Sequence, residues 1–419
     1  MARSFNRGGL LVETYRELTP AAPWELLPLP SRAILTASQY PGHTTSWVVS
    51  VGDQIEEEQL IAQGKPFGLH SPIPGTVEAF QELTLPNGTK TSAMTLRLGG
   101  EFRKTGRPRT ARDWTKESAE ALKTRVSQLG VPLSSLGPQN VSVPLKVLVL
   151  NAIQPEPYMT LGLRIIEDQR EEWTEALKIL QKIFQPQETW LAIDQEKSQK
   201  SLPVAPDKSF HVKVFASRYP QAQQKLLLSS LGLDKFPLNS VLVVEPETLL
   251  ALYQAAVWDK AYVDKPVVIS GNAAVNPGVY RVKIGTPLSD LLTYAGGLPE
   301  DTLVLQGGPF RGTQVTDLTQ PVLKSTSAVI LMNRKKAHQT AQTDCTHCGN
   351  CAEVCPVGIR PLYLWQALET QDHEGIRAEG LDRCVACGLC SFICPSRIPL
   401  FEHFSRSQGL FSPQGVYGE

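Results

Sequence analysis

All eight cysteines of this 419-residue chain fall in two copies of one spacing: Cys345, Cys348, Cys351 and Cys355 before Pro356, then Cys384, Cys387, Cys390 and Cys394 before Pro395. Three cysteines separated by two residues each can reach three irons of one cube, while a fourth just before proline is better placed to ligate a neighbouring cube. The spacing therefore predicts two [4Fe-4S] clusters with crossed ligands. Cys345, Cys348, Cys351 and Cys394 hold one; Cys384, Cys387, Cys390 and Cys355 hold the other. Crossed ligation keeps two cubes close enough for one-electron hopping, and Gly349 and Gly388, at matching places, let the backbone turn tightly around the inorganic core.

Two other uses of cysteine fit less well. Zinc sites favour separated C-x2-C pairs or added histidines rather than three closely spaced cysteines and a fourth before proline. Disulfides need an oxidising compartment, and Met1 to Leu11 carries no long apolar run of the kind that directs export, so a cytoplasmic setting is expected. His347, between two ligands, reads as a solvated surface residue rather than a further ligand.

The scaffold around these ligands is long enough for two to four domains, and 42% apolar residues suffice for several ordinary cores. Lys plus Arg equals Asp plus Glu at 41 each, so no net field favours nucleic acid or an anionic membrane. The strongest basic run, Arg103, Lys104, Arg107, Arg109 and Arg112, is broken by Gly106 and Pro108 and reads as a solvated linker. Since the sequence shows no apolar window of transmembrane length, any membrane attachment is expected through partners.

Short glycine-punctuated runs open the chain, among them Trp47-Val48-Val49, Leu60-Ile61-Ala62 and Pro74-Gly75-Thr76-Val77. Their order resembles the barrel-sandwich hybrid of biotinyl and lipoyl carriers, with Lys65 near the carrier-lysine position; a purely structural barrel is expected over residues 1–100. Residues 101–145 read as a linker with a helix carrying Ala119, Leu122, Val126 and Leu129. Strands at Val147 to Leu150, Thr189 to Ile193, Val212 to Ala216 and Ser240 to Val244 then alternate with helices, predicting a Rossmann-like parallel α/β domain over 146–262. Val267 to Gly271, Pro277-Gly278-Val279-Tyr280 and a helix from Leu288 closed by Gly296-Gly297 resemble the SLBB β-grasp domain, placed at 263–315. A dicluster ferredoxin domain at 316–404 and a tail at 405–419 complete a multidomain α/β plus β chain. The stretch between Cys355 and Cys384 reads as mainly helical, with Leu362, Trp365 and Leu368 packing around the clusters.

Taken in order, these parts resemble the C subunit of Rnf-type electron-transport complexes. The resemblance runs over about residues 7 to 404 and is most specific at Arg7-Gly8-Gly9, Asn151-Ala152, Glu156-Pro157-Tyr158, Tyr219-Pro220, Gln306-Gly307-Gly308-Pro309 and both cysteine runs. It implies a peripheral subunit on the cytoplasmic side of the inner membrane, attached through membrane subunits and exchanging electrons with a ferredoxin-like protein or a flavoprotein. Family members also bind FMN and oxidise NADH in the Rossmann-like domain.

That second property is where this chain departs. The family's glycine-rich loop, whose bare amides cradle a phosphate, is replaced by Leu129 to Pro138, with two glycines and two prolines. Its N-A-x-E-C-E-P-Y becomes Asn151 to Tyr158 with Gln154 and Pro155, and its Y-P-x-G-x-E becomes Tyr219 to Gln224 without the glycine or the carboxylate. Near the flavin phosphate stand Glu245 and Glu247, each repelling a phosphate by roughly 1–4 kcal/mol at surface-like dielectric. The expected function is electron relay through the two clusters, with no FMN or NAD on this chain and no independent NADH dehydrogenase activity. The competing readings are an FMN-containing, NADH-oxidising subunit and a non-enzymatic docking or redox-sensing adaptor.

Overall fold

The computed structural model describes residues 4–19, 22–64, 67–133, 144–195, 210–335 and 341–411. Lys65 and the segment Ser134 to Pro138 of the altered glycine loop lie outside the described residues.

Period-two patterning builds the first unit. Along Lys90–Leu98, Thr91 and Ala93 are buried on one face of the strand and Met94 and Leu96 on the other. This strand pairs antiparallel with Arg32–Thr36 and Gly75–Thr84, and Gln54–Ile55 closes that sheet. A second sheet of Thr45–Trp47, Leu60–Gly64 and Leu69–His70 completes the barrel sandwich. Leu35, Ile61, Leu69, Ile73, Met94 and Leu96 fill its interior. The residues ahead of the barrel leave it: Leu10–Leu11 pairs with Arg218–Tyr219, and Glu25–Leu26 adds an edge strand to the β-grasp sheet. They act as a strap across three units, which a boundary drawn at residue 1 hides.

Four parallel strands form the α/β unit, in the order Phe210–Phe215, Glu188–Asp194, Val147–Asn151, Val241–Val244. All five residues of Val147–Asn151 are buried, as a central parallel strand covered on both faces requires. Helix Arg170–Phe184 buries Trp173, Ala176, Leu177, Leu180 and Ile183 along one stripe, and Pro246–Trp258 starts with proline where no amide partner is needed. Chain order reverses between Val147–Asn151 and Val241–Val244, which opens a crevice at their carboxyl ends.

The β-grasp sheet runs Thr313–Gln314, Thr302–Gln306, Ala328–Asn333, Asp264–Ser270, Gly278–Lys283, Glu25–Leu26. Helix Leu288–Tyr294 lays Leu288, Leu291 and Leu292 on it, and Gly296 and Gly297, both at positive φ, stop that helix. The sheet also takes in one strand beyond the end of the expected 263–315 span. Ala328–Asn333 pairs with Thr302–Gln306 on one side and Asp264–Ser270 on the other, so the unit extends to Asn333.

Asp264 anchors the start of that unit. Its carboxylate meets Lys260 at 2.5 Å, Arg281 at 3.1 Å and Lys283 at 3.8 Å. Burial alone would raise its pKa, but the charges of Lys260, Arg281 and Lys283 outweigh burial and hold it well below the usual carboxylate range. With the folded pKa depressed, the stabilisation is complete above the unfolded value and is lost only as pH falls through the folded one. Asp264→Asn is expected to cost about 3 kcal/mol at pH 7, because it leaves a cluster of half-buried cations without its shared carboxylate. The shift in urea midpoint measures it; equal midpoints for variant and wild type would rule out Asp264 as an anchor.

Candidate iron–sulfur centre

The two cysteine runs fold into the same local shape. Gly349 and Gly388 sit at φ 80° and 78° and open the short helices Asn350–Glu353 and Leu389–Phe392. His347 and Ala386, each just before a cysteine, take φ 54° and 48°, and each donates its amide to the sulfur two residues back, Cys345 and Cys384, at 3.4 Å. Beyond each proline the turn repeats too: the Gly358 and Arg397 amides donate to the carbonyls of Cys355 and Cys394 at 3.3 and 3.2 Å, and Ile359 and Ile398 are both buried. The helix Pro361–Glu369 between the runs turns Leu364 and Ala367 inward, with Trp365 and Leu368 half-buried beside them. The expected face of Leu362, Trp365 and Leu368 is therefore rotated; Leu362 contributes its backbone, near Cys351, instead.

The fourth cysteine of the first run crosses to the second. Cys355 lines a small, partly open cavity together with Cys384, Cys387 and Cys390. Burial pushes the Cys384 thiol up to about 11 and the Cys387 thiol up to about 12, and the neighbouring Cys355 adds to the rise at both. Four soft sulfur donors lining one apolar space are the ligand set that an iron–sulfur cube takes. In the other run burial raises the Cys351 thiol, with the nearby Cys348 and Cys394 adding to it. Cys345 packs at the edge of the same apolar cluster. Among the described residues no group of three or more His, Cys, Asp or Glu side chains is gathered as one metal ion would need.

The two sites differ in surroundings. Cys355 and Cys387 are buried, whereas Cys348 and His347 are exposed. The inner site is backed by residues distant in sequence. Tyr219 donates its hydroxyl to the Cys387 carbonyl, its ring lies 4.6 Å from Phe310, and Phe310 meets Phe392 edge-on at 4.8 Å. The strap closes the other side: the Gly9 amide donates to the Val354 carbonyl at 2.8 Å, and a Cβ on Gly8 would lie 2.5 Å from the Cys355 carbonyl oxygen. That close approach explains the Arg7-Gly8-Gly9 start in physical terms.

The crevice at the reversal of strand order is a wide cleft with about 1160 Å3 of empty space, open to solvent. Glu156, Glu245, Glu247, Arg311 and Gly307-Gly308 line it. Glu247 pairs with Lys265 at 3.0 Å. Glu245 faces the cleft, yet burial among surrounding protein and the Glu247 charge push its pKa up to about 6. Glu156 is 3% exposed; it accepts from the Phe310 amide at 2.7 Å and the Arg311 amide at 3.2 Å, and pairs with the Arg311 guanidinium at 3.2 Å. A Cβ on Gly308 would sit 2.3 Å from the Glu156 carboxylate, so the glycine admits it. Gln154, the amide in place of the family's carboxylate, is bound by Arg16 at 2.7 Å and donates to the Thr14 and Glu156 carbonyls. Sequence reasoning singles out Glu156, Tyr219 and Gly307-Gly308 but misses Phe310 and Arg311; their place directly after that glycine turn is the available signal.

Fold and site together define a multidomain iron–sulfur protein. Three family models match in chain order: the RnfC barrel sandwich hybrid domain over residues 4–101, an SLBB domain over 266–314 and a 4Fe-4S dicluster domain over 337–396. Proteins named as the C subunit of ion-translocating oxidoreductase complexes match nearly end to end. The one from Rhodobacter capsulatus is 28% identical over 97% of this chain and 83% of its own length. That from Yersinia pestis bv. Antiqua is 26% identical over 96% of this chain and 68% of its length, and that from Serratia proteamaculans 27% over 96% and 60%. The chain is thus similar to RnfC over its N-terminal domain and to these C subunits over nearly all of its own length. Among solved structures, the NAD+-reducing [NiFe]-hydrogenase in the H2-reduced state matches at TM-score 0.43 and 14% identity, covering 70% of this chain and 62% of that one. Among the described residues no helix is long and apolar enough to cross a membrane.

Proposed function

We propose that this chain is a peripheral electron-transfer subunit of an Rnf-like membrane oxidoreductase complex, held on the cytoplasmic face by its membrane subunits. Two [4Fe-4S] clusters relay single electrons, one on Cys345, Cys348, Cys351 and Cys394, the other on Cys384, Cys387, Cys390 and Cys355. The observation that carries this reading is the cavity ringed by Cys355 and the three thiols of the other run. A ferredoxin-like or flavoprotein partner supplies or takes the electrons, since the chain works without an FMN or NADH site of its own. The barrel, α/β and β-grasp units, the last extended to Asn333, are its packing and docking frame.

Support for the missing flavin comes from the cleft. Glu245 stands at the N-terminus of Pro246–Trp258, where amides would otherwise meet a phosphate, and Pro246 brings no amide. Gln154 is committed to Arg16 and two carbonyls. The cleft's size favours the second reading, an FMN-containing NADH-oxidising subunit. One measurement separates them: the anaerobically purified chain is incubated with excess FMN, and flavin released on denaturation is counted against iron. Near zero flavin per about eight irons is expected. Close to one flavin, with cluster reduction by NADH, would establish the second reading instead.

A further inference from the structure

The turn at Phe310 and Arg311 touches both the cleft and the inner cysteine site. On the cleft side Glu156 fixes it through two amides and the guanidinium, while Arg311 stays 31% exposed. On the cysteine side the Phe310 carbonyl oxygen presses so closely on Gly388, between Cys387 and Cys390, that a Cβ there would be 2.2 Å away. We infer that Arg311 raises the reduction potential of the inner cluster and that Glu156 limits how far. This rests on the two-cluster reading above.

Reduction by one electron adds a negative charge to the cluster. A fixed cation nearby stabilises the reduced form more than the oxidised form and moves the potential up. A carboxylate bound to that cation offsets part of the effect. The turn that carries Arg311 abuts the ligand loop directly, since the adjoining Phe310 carbonyl oxygen meets Gly388 between Cys387 and Cys390. Burial strengthens the exchange: Glu156 is almost wholly excluded from water, so its charge is screened less than a surface carboxylate's would be. Glu245 also lies within the Arg311 field, on the cleft side. Arg311 is a positioning residue in this scheme; it touches no reacting atom and acts through charge.

The two charges make opposite demands, which a purely structural role would not. In an EPR-monitored redox titration of the whole chain, Arg311→Gln is expected to move one cluster to a lower potential and Glu156→Gln to move the same cluster to a higher one. Arg311→Lys should stay near wild type, and the second cluster should not move in any of the three. Loss of signal in Cys384→Ser identifies the inner cluster. Shifts in the same direction for Arg311→Gln and Glu156→Gln, or no shift in either, overturn the inference. If Arg311→Gln fails to assemble, Glu156→Gln and Arg311→Lys decide alone, and an unmoved potential in Glu156→Gln overturns it. A wild-type chain holding far fewer than about eight irons sinks the two-cluster reading itself, which is a separate outcome.

Discussion

Cys394→Ser is expected to remove the cluster built on Cys345, Cys348 and Cys351, though those residues lie 43 or more positions earlier in the chain. A cube needs four soft ligands, and in the proposed crossing Cys394 supplies the fourth to the first run, near enough to Cys351 for its charge to be felt there. Iron should fall from about eight to about four per chain, with some disturbance of the neighbouring site because Cys390 is on the same short turn. The control is the comparison of spectra. Cys394→Ser should resemble Cys345→Ser, and Cys355→Ser should resemble Cys384→Ser. Two undisturbed clusters in Cys394→Ser, or a spectrum matching Cys384→Ser, would show that each run serves its own cube and that the crossing is wrong.

The parts legible in the sequence are those set by short-range pattern. The stripe of Trp173, Ala176, Leu177, Leu180 and Ile183 repeats at helical spacing, and its helix begins at Arg170, three residues before Trp173. The apolar run Val147 to Leu150 reads as a strand covered on both faces and is one. Cysteine spacing is local in the same sense, since it is dictated by the size of the inorganic core. What stays hidden depends on contacts between distant segments. Nothing local says that Ala328–Asn333 sits centrally in the β-grasp sheet, between strands of the expected 263–315 span. Leu10–Leu11 and Glu25–Leu26, ahead of the barrel, pair with strands more than 200 positions away. The inequality of the two cysteine sites has the same origin: Tyr219 and Phe310 cover Cys387 and leave Cys348 exposed, and no periodicity within either run encodes it. Helix rotation about Leu364 escapes the sequence because Leu362, Leu364, Trp365 and Leu368 are all apolar, and such a helix does not declare its buried stripe.

That inequality makes the strongest test of the packing, because the two runs carry the same glycine in different surroundings. Gly349 and Gly388 share φ near 80°, so alanine at either position meets left-handed strain of roughly 1–2 kcal/mol. At Gly349 the new methyl has nothing within 4 Å. At Gly388 it would sit 2.2 Å from the Phe310 carbonyl oxygen and 3.0 Å from its carbon, both backbone. The obstruction cannot swing aside cheaply, because the Phe310 amide is held by Glu156 and its ring lies against Tyr219 and Phe392. Gly388→Ala should therefore cost roughly 1–3 kcal/mol more than Gly349→Ala through overpacking. The strain falls between two ligands of the inner cluster, so iron is where it should show first. Gly349→Ala is expected to keep about eight irons through anaerobic purification and gentle warming, and Gly388→Ala to lose about half of them. Equal iron retention and equal urea midpoints for the two variants would mean that the β-grasp turn does not press on the cysteine loop, and the route by which Arg311 reaches the inner cluster would go with it.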